Sequence, residues 1–500
     1  RGRPPVGQPN RGRPRRDGGS AAAADPARTV ALAALRAVAD SDAYANLVLP
    51  RLLRERQVRG RDAAMATELT YGVLRMRGLY DAILAAVSDR PLDAVDPAVL
   101  DALRLGVHQL VTMRTPPHAA VSATVGAARA TVGAGASGFV NAVLRRVADG
   151  DPDGWTDRVA PAPGPGAADG DRVLAVRHSH PEWIVRALRQ ALVAAGRDPG
   201  ELPALLAADN LAPEVTLLAR PGVTTPAEVT AAARRARARE GRWSPYAWRL
   251  DEGGSPGDLP EVRSGRFRVA DEGSQLAALA LLGPAVDAGV GEAGGGGERW
   301  LDLCAGPGGK SALLSGEAVL RGASGVSVEV RPQRADLVRA AVAGAEDRWQ
   351  VRTDDGRETG RTEPGAYHRV LADVPCTGLG ALRRRPEARW RRTPGDLATL
   401  ALLQRALLDS ALRACRPGGV VAYVTCSPHV AETRAVVDDA VRAGRRGRGP
   451  AAELLDARPD VAGRDGAPLP ELGDGPAVQL WPHLHGTDAM FIALLRRADP

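Results

Sequence analysis

The stretch RWLDLCAGPGGKSALL, residues 299–314, decides the fold of the C-terminal half of this chain. An apolar segment runs into a glycine-rich turn, and residues with helical spacing follow, which predicts a strand, a ligand-binding turn and a helix. The phosphate-loop pattern GxxxxGK[ST] fails because Cys304 stands where its first glycine would be, and the dinucleotide pattern GxGxxG also fails. The turn therefore predicts a site for the carboxylate and ribose of a small nucleoside ligand.

Strands and helices alternate from about residue 266 to the end. Alternation of this kind builds a parallel, doubly wound sheet that binds its ligands at the carboxyl ends of the strands. The predicted strands are 299–303, 325–330, 349–352, 369–373 and 419–425. The predicted helices between them are 310–320, 332–343 and 397–414. Two inserts, 284–298 and 441–475, are predicted to loop out.

Acidic residues fall near the ends of successive predicted strands, at Glu329, Asp355 and Asp373. A carboxylate after the second strand of such a sheet typically accepts hydrogen bonds from ribose hydroxyls. No second phosphate-binding device is present, so the expected ligand is a nucleoside without a polyphosphate, and S-adenosylmethionine fits that description. Each acid taken singly is equally compatible with a solvated loop carboxylate.

Two cysteines, Cys376 in DVPCTG and Cys426 in VTCS, each follow a predicted strand and should lie on the rim that faces the cofactor. Cys415 is expected to be a buried small apolar residue and Cys304 a structural part of the turn. A thiolate is an effective nucleophile and a competent leaving group once its pKa is lowered. Addition of a thiolate to carbon 6 of cytosine activates carbon 5 toward a methyl donor.

Other residues of the rim suit the same chemistry. Lys310 and the dipole of its helix could provide positive potential near a thiolate. Asp373 could hydrogen-bond the ring nitrogen or the amino group of the base. The base must be unstacked to enter such a pocket, which favours single-stranded RNA or loops. Nothing in these residues chooses between Cys376 and Cys426 as the nucleophile.

The rest of the chain divides by composition. Residues 1–25 are rich in Arg, Gly and Pro and are predicted to be a disordered basic tail. Residues 26–148 have helical spacing throughout, which predicts an all-α bundle of about seven helices, with Asp62 as one cap and Asp96-Pro97 as another. Residues 149–172 are predicted to be a linker. Residues 173–265 are predicted to be mixed α/β, with a helix after His180-Pro181, a strand at 214–219 and an Arg-rich helix around 234–239.

Composition excludes several classes of protein. The 500 residues are 44% hydrophobic, which is ordinary for a globular protein, and four cysteines cannot form a disulfide framework. No apolar run could span a membrane and no secretory signal is expected, so the predicted location is cytoplasmic. The net charge of +7 is compatible with a polyanionic partner. Lys310 is the single lysine among 66 basic residues, which indicates a role that Arg cannot fill. The eight histidines show no metal-ligand spacing, so no metal is expected.

The motifs together resemble a known family. From Asp302 to Glu432 the segments DLCAGPGGKS, DVPCTGLG, RRRPEARWRR and YVTCS resemble the RNA cytosine-C5 methyltransferases. Residues 26–148 are similar to the NusB domain in ELTYGVLR, LRLGVHQL and SGFVNAVLRR. HSHPEW at 178–183 and ADEGSQLAAL at 270–279 resemble linking segments of the bacterial 16S rRNA cytosine-C5 methyltransferases of the RsmB (Sun) type.

The resemblance implies a multidomain fold, with a NusB-like RNA-binding bundle, a mixed subdomain and a Rossmann-like S-adenosylmethionine-dependent methyltransferase domain over 266–500. It implies that Cys426 is the nucleophile, that Cys376 assists product release, and that Lys310 and Asp373 belong to the catalytic site. Its cofactor site would be lined by Cys304, Ala305, Gly306, Pro307, Gly308, Gly309, Lys310, Glu329, Asp355 and Asp373. Two departures are noted, Glu329 for the usual Asp and Gly306 for a common Ala, and neither is expected to impair activity. The implied substrate is small-subunit rRNA, protein-free or in early assembly.

An arginine-rich run follows the Pro-Cys motif, where an RNA strand would enter, and phosphate contacts there would make binding salt-dependent. The residues expected to bind RNA are Arg334, Arg383, Arg384, Arg385, Arg389, Arg391 and Arg392. Trp390 is a candidate stacking platform for a base, or an anchor for the loop. A solvated helix face is the alternative for the whole run.

Three alternatives to a 16S rRNA methyltransferase stay open. A noncatalytic RNA-binding scaffold with a degenerate methyltransferase domain is disfavoured because both thiols, the lone lysine and the acids are retained. A nucleotide-hydrolysing enzyme is disfavoured by Cys304. A tRNA cytosine-C5 methyltransferase would use the same site.

Overall fold

The computed structural model describes residues 25–41, 43–162, 164, 166–251, 256–286 and 297–499. The predicted basic tail, apart from its last residue, and most of the predicted insert 284–298 lie outside the described residues.

The N-terminal part is an all-α bundle, as predicted. Among its described residues it has six α-helices: α1 Pro26–Asp40, α2 Ala45–Glu55, α3 Gly60–Val87, α4 Pro97–Val107, α5 Pro117–Thr131 and α6 Ser137–Ala148. Asp96 caps α4 as expected, since its side chain accepts hydrogen bonds from the N–H groups of Ala98 and Val99. The prediction that Asp62 is a helix cap is wrong, because α3 begins two residues earlier and Asp62 lies within its first turn.

The stretch predicted to be a linker is partly helical. It contains α7 Trp155–Val159 and the start of α8 Ala167–Arg177. The Trp155 side chain is buried in the core of the bundle, and its Nε1 donates to the carbonyl oxygen of Val147 at 3.1 Å. Burial of this large ring stabilises the docked chain in spite of the Pro- and Gly-rich composition around it.

A small mixed α/β subdomain follows. Its elements are α9 Glu182–Ala194, α10 Leu202–Asp209, β1 Thr216–Ala219, α11 Pro226–Ala236, β2 Ala238–Glu240, β3 Ala247–Leu250, α12 Pro260–Arg263 and β4 Phe267–Val269. The four strands form an antiparallel sheet in the order β2-β3-β1-β4. The predicted helix around 234–239 is wrong in its second half, because Arg237 has a left-handed backbone with φ 48° and ends α11.

The C-terminal domain is the predicted Rossmann-like domain. Its elements are α13 Glu272–Ala280, β5 Arg299–Asp302, α14 Gly309–Arg321, β6 Ser324–Val328, α15 Pro332–Val342, β7 Trp349–Arg352, α16 Gly356–Thr362, β8 Tyr367–Asp373, α17 Ala388–Arg391, α18 Asp396–Ala414, β9 Cys415–Thr425, α19 Arg434–Arg445, β10 Ala452–Leu455, β11 Val478–Gln479, α20 Pro482–His485 and β12 Phe491–Arg497. The sheet order is β10-β12-β9-β8-β5-β6-β7, and β11 pairs with β12. Strands β5 to β9 are parallel, whereas β12 is antiparallel to β9.

All five predicted strands of this domain are present, with their ends shifted by at most four residues. The prediction that 441–475 loops out is wrong. Strand β10 lies within it and pairs with β12, and Val461 and Leu469 are buried in the main core of the domain. The insert therefore closes one edge of the sheet.

The run RRRPEARWRR connects the helical bundle to the methyltransferase-like domain, and we call residues 383–392 the connecting segment. Arg389 is fully buried and donates to the carbonyl oxygens of Arg75, Ser179 and Asp209. The Nε1 of Trp390 donates to the carbonyl oxygen of Leu74 at 2.8 Å.

Other residues of the connecting segment also make contacts inside the protein. The ring of Trp390 lies so close to Gly78 that a Cβ there would approach it to 2.6 Å. Arg391 donates to the carbonyl oxygens of Val38 and Ala43 on the bundle. Arg383 is buried and pairs with Asp271 and Asp488.

The prediction of RNA binding is therefore wrong for Arg383 and Arg389, whose guanidinium groups are buried and paired inside the protein. The indole of Trp390 is occupied by the bundle, which contradicts its role as a stacking platform and confirms the alternative that it is an anchor. For Arg384, Arg385, Arg391 and Arg392, which are half-buried or exposed, RNA binding stays a prediction.

Replacement of Arg389 by Ala should lower the free energy of unfolding by about 2–4 kcal/mol, because several buried carbonyl oxygens lose their donor. Arg385→Ala, in the same segment but exposed, is the matched control and should cost less than about 1 kcal/mol. Urea denaturation followed by circular dichroism measures both. Equal effects of the two substitutions would contradict the structural role of Arg389.

Candidate active site

The predicted site residues meet at one edge of the large sheet. Because β5 to β9 are parallel, their carboxyl ends lie side by side. The glycine-rich turn follows β5, Glu329 follows β6, Asp355 follows β7, Asp373 ends β8, and Cys426 follows β9. Cys376 lies three residues beyond the end of β8 and reaches the same edge.

The two thiols are neighbours. The Sγ atoms of Cys376 and Cys426 are 3.3 Å apart, at hydrogen-bond distance for sulfur, and both residues are partly exposed. Strands β8 and β9 pair without a shift from Arg369 to Asp373, and just beyond them the N–H of Val374 donates to the carbonyl oxygen of Val424 at 3.0 Å. When one of the two cysteines is a thiolate, the protonated thiol of the other can therefore donate a hydrogen bond to it.

A buried carboxylate holds the two cysteine loops together. Glu432 is fully buried, and its Oε1 accepts the N–H of Thr377 at 2.7 Å. Its Oε2 accepts the hydroxyls of Thr377 at 2.5 Å and of Ser427 at 2.6 Å. Thr377 and Ser427 directly follow Cys376 and Cys426, so one side chain binds both loops next to their thiols.

Gln404 of α18 completes this arrangement. Its Nε2 donates to the carbonyl oxygen of Pro375 at 2.8 Å and to Oε1 of Glu432 at 3.1 Å. The residue before Cys376 and the residue after it are thus both held. The roles of Glu432, Gln404, Thr377 and Ser427 depend on contacts between distant parts of the chain, so no local sequence pattern indicates them.

Lys310 and Asp373 form an ion pair beside the thiols. The Nζ of Lys310 lies 2.7 Å from Oδ2 of Asp373, and the lysine side chain is largely buried. Burial alone would lower the pKa of Lys310, but the charge of Asp373 and the hydrogen bond to it raise the pKa above its usual value. Lys310 therefore carries a positive charge at the site.

The surroundings distinguish the two thiols. The hydrogen bond from Cys376 lowers the pKa of Cys426, and the positive charges of Lys310 and Arg385 also lower it. Burial and the negative charge of Asp373 act against them, but the net shift is downward. The pKa of Cys376 is raised by its hydrogen bond to Cys426, by burial and by the negative charge of Glu432. Cys426 is the thiol that this site favours as the thiolate, and Cys376 is the one that it keeps protonated.

The glycine-rich turn and Glu329 form a cradle for a nucleoside. Oε2 of Glu329 accepts the N–H of Gly306 at 3.1 Å, and Oε1 accepts the N–H of Arg331 at 2.9 Å. A Cβ at position 306 would lie 2.1 Å from Oε2 of Glu329. Glu329 thus occupies the space that a methyl group at position 306 would need, so Gly306 and Glu329 fit each other; that neither departure impairs activity stays a prediction.

The remaining predicted cofactor residues line the same edge. Gly308 has φ 104°, where a side chain would be strained and would meet Ala341. Burial raises the pKa of Cys304 well above its usual value, so this thiol stays neutral, which fits a structural role. Asp355 caps α16 and pairs with Arg357. Arg334, predicted to bind RNA, donates to the carbonyl oxygen of Gly306 and lies 3.6 Å from Glu329.

Buried polar residues behind the turn fix its position. Oδ2 of Asp302 accepts the hydroxyl of Ser311 at 2.6 Å, and the hydroxyls of Ser311 and Ser327 are 2.9 Å apart. Burial raises the pKa of Asp302 to about 7. These bonds tie the end of β5 to the start of α14, so the turn between them has a defined shape.

Two further features of the described residues concern metal ligands and membrane-spanning helices. No three His, Cys, Asp or Glu side chains among them are grouped so that they could hold a metal ion. None of the described helices is both long and apolar enough to cross a bilayer.

The chain is similar to known proteins along most of its length. Residues 294–496 match the family described as 16S rRNA methyltransferase RsmB/F, and residues 25–149 match the NusB family. The chain is 51% identical to the putative methyltransferase Rv1407 of Mycobacterium tuberculosis over 95% of this chain and 97% of the relative. It is 31% identical to ribosomal RNA small subunit methyltransferase B of Vibrio cholerae over 90% of this chain and 95% of the relative.

A solved structure has the same fold along nearly the whole chain. The crystal structure of PH0851 superposes with a TM-score of 0.74 at 18% identity and covers 95% of this chain and 99% of its own.

Replacement of Glu432 by Gln should separate the two thiols, because an amide NH₂ takes the place of one acceptor oxygen. With oxidised glutathione, Cys426 of the wild type should form a mixed disulfide and release one glutathione thiol. Cys376 should then attack this mixed disulfide at once, which forms the internal disulfide and releases the second glutathione thiol. In Glu432→Gln the second step should slow by roughly 10-fold or more, since it depends on proximity. Intact-mass measurement would then detect the glutathione adduct.

The exposed Glu358→Gln substitution is the matched control and should behave as wild type, because this side chain pairs with Arg361 on the surface, away from the thiols. Fast internal disulfide formation in Glu432→Gln would show that Glu432 does not set the distance between the thiols.

Proposed function

Since this chain belongs to the RsmB/F family of 16S rRNA methyltransferases, we propose that it methylates carbon 5 of a cytosine in 16S rRNA through a covalent bond between Cys426 and carbon 6. Family membership confirms the resemblance indicated by the motifs and makes the protein an S-adenosylmethionine-dependent RNA methyltransferase. The observation that carries the proposal is the pair of Sγ atoms 3.3 Å apart, next to the ion pair of Lys310 and Asp373.

The residues of the edge fit the cofactor. The turn from Gly306 to Lys310 offers backbone N–H groups at the start of α14, which suit a carboxylate. Glu329 and Asp355 follow neighbouring strands and can accept hydrogen bonds from ribose hydroxyls. When bound there, S-adenosylmethionine supplies an electrophilic methyl group to carbon 5 of the base.

Cys426 prepares the base for that transfer. Its thiolate forms a bond to carbon 6, and the electron pair of the 5,6 double bond moves into the ring, which makes carbon 5 nucleophilic. Lys310 lowers the cost of the thiolate before the attack. Asp373 is placed to accept a hydrogen bond from the amino group of the cytosine.

Cys376 acts when the product leaves. After carbon 5 has lost its proton, the bond between carbon 6 and Sγ of Cys426 breaks and its electron pair returns to sulfur. The protonated thiol of Cys376 donates a hydrogen bond to that sulfur and stabilises it as the leaving group. The division of labour follows from which thiol the neighbouring charges keep protonated.

The substrate assignment is supported by the relatives named as ribosomal RNA small subunit methyltransferase B. We propose protein-free 16S rRNA or an early assembly intermediate as the RNA. A base must leave its stack to reach a pocket at a sheet edge, which favours a single-stranded or loop position.

Transfer of labelled methyl groups to protein-free 16S rRNA tests the proposal, with the product nucleoside identified. The wild type should yield 5-methylcytosine. Cys426→Ala should lower the rate by more than roughly 10³-fold because the nucleophile is lost. Cys376→Ala should still methylate in a first turnover but accumulate a covalent protein–RNA adduct. Cys415→Ala, a buried thiol at the other end of β9, is the control and should stay active.

Other outcomes would contradict specific parts of the proposal. Absence of transfer to any RNA, with RNA binding intact, would leave only an RNA-binding scaffold. Activity that survives Cys426→Ala and is lost in Cys376→Ala would reverse the roles of the two thiols. Methylation of tRNA in preference to 16S rRNA would overturn the substrate assignment.

A further inference from the structure

A second arginine-rich run lies on the helical bundle. We call residues 51–61, RLLRERQVRGR, the arginine turn; it covers the end of α2, the connection and the start of α3. Its five arginines are all exposed, and Glu55 is the one acidic residue within it. These arginines are Arg51, Arg54, Arg56, Arg59 and Arg61.

Most of these guanidinium groups are available to a ligand. Arg51 is 3.6 Å from Glu55 on the surface, and Arg56 donates to the carbonyl oxygen of Thr29. Among the described residues, Arg54, Arg59 and Arg61 have no side-chain hydrogen bond or ion pair. This is the opposite of the connecting segment, where Arg383 and Arg389 are buried and paired.

The arginine turn is linked to the thiols by the other end of α2. The N–H of Ala45, the first residue of α2, donates to Oε1 of Glu387 at 3.3 Å. Tyr44, just before it, is partly exposed and has the guanidinium of Arg385 over its ring at 5.1 Å. Arg51, the first residue of the arginine turn, lies six residues after Ala45 on α2, so the arginine turn begins about 9 Å along the helix from this point.

Arg385 lies next to the reactive centre. The N–H of Gly380 donates to the carbonyl oxygen of Cys426 at 2.8 Å, and the N–H of Arg385 donates to Ala381 in the same short turn. Arg385 is exposed, so its guanidinium faces solvent between Tyr44 and the thiol edge. The first six residues of α2, 45–50, carry no charge, so Arg385 and the arginine turn are two separate positive regions near opposite ends of this helix.

A third basic run provides a comparison. Arg445, Arg446 and Arg448 are also exposed, at the end of α19. Helix α19 begins near the carboxyl end of β9 and runs back along the sheet, and this end of it shares a cleft with Asp409 and Leu412, near the start of β9. These arginines therefore lie at the edge of the sheet opposite the thiols.

We propose that the RNA segment flanking the target base binds along the arginine turn and α2 and enters the thiol edge past Arg385, which Tyr44 supports. The partner is a single-stranded or irregular RNA whose phosphates pair with the free guanidinium forks. The proposal rests on the reaction taking place at Cys426, but not on the identity of the base or the carbon that is methylated.

Binding of protein-free 16S rRNA across a salt series tests this surface without any methyl donor. The variant Arg54→Gln/Arg59→Gln/Arg61→Gln should raise Kd by about 10- to 100-fold near 100 mM salt and make the slope of log K against log salt less negative by about 2. At saturating RNA its kcat should stay close to that of the wild type, so that the loss appears in KM. The matched control, Arg445→Gln/Arg446→Gln/Arg448→Gln, removes the same charge and should change Kd by less than about 2-fold if only the first surface binds.

Substitutions of Tyr44 test the surface in a second way, because they leave the net charge of the protein unchanged. Tyr44→Phe keeps the ring under Arg385 and should bind as wild type, whereas Tyr44→Ala should raise KM several-fold. Equal weakening by the two triple variants, or an unchanged Kd for the arginine-turn variant, would overturn the proposed surface. Normal salt-dependent binding with no methylation by the wild type would instead contradict the proposed function and leave the surface supported.

Discussion

The hydrogen bonds of Glu432 to the residues that follow the two cysteines are the interaction on which the site depends. A buried carboxylate is costly unless its oxygens are well paired, and here both oxygens accept bonds from Thr377, Ser427 and Gln404. Strands β8 and β9 bring the loops to the same edge, where Glu432 binds both of them beside the thiols and the hydroxyls of Thr377 and Ser427 lie 3.2 Å apart. Its negative charge also adds to the hydrogen bond with Cys426 and to burial in raising the pKa of Cys376, so Glu432 both holds the loops and helps to keep this thiol protonated.

The strands and the position of the site could be predicted from local patterns. Short apolar runs followed by Gly, Pro or Asp identified β5 to β9, and parallel strands necessarily carry the residues after them to one edge. The role of Glu432 could not be predicted in this way, because its partners are up to 55 residues away in the chain. The predicted linker failed for a related reason, since burial of Trp155 against the bundle outweighs a local composition typical of loops.

A high local density of arginine does not identify an RNA-binding surface in this chain, because nearly every basic residue is Arg. The connecting segment has the densest run, yet Arg389 binds backbone carbonyl oxygens of three distant residues and fastens the bundle to the catalytic domain. A side chain with five donors can satisfy several carbonyl oxygens at once, which suits Arg to such a junction. Burial, which local sequence does not show, separates these arginines from the exposed ones of the arginine turn. Gly306 and Glu329 are a similar case. The sequence shows two separate departures from the family pattern, and only the structure shows that these two residues are in contact.

In the proposed mechanism Cys426 is the nucleophile and Cys376 is its protonated partner. The most direct measurement is to incubate the protein and S-adenosylmethionine with 16S rRNA containing 5-fluorocytidine, and to identify the RNA-linked peptide by mass spectrometry. Fluorine on carbon 5 cannot leave as a proton does, so the covalent intermediate should persist. The RNA should be attached to the peptide containing Cys426, whereas attachment to the peptide containing Cys376 would contradict the proposed roles of the two thiols.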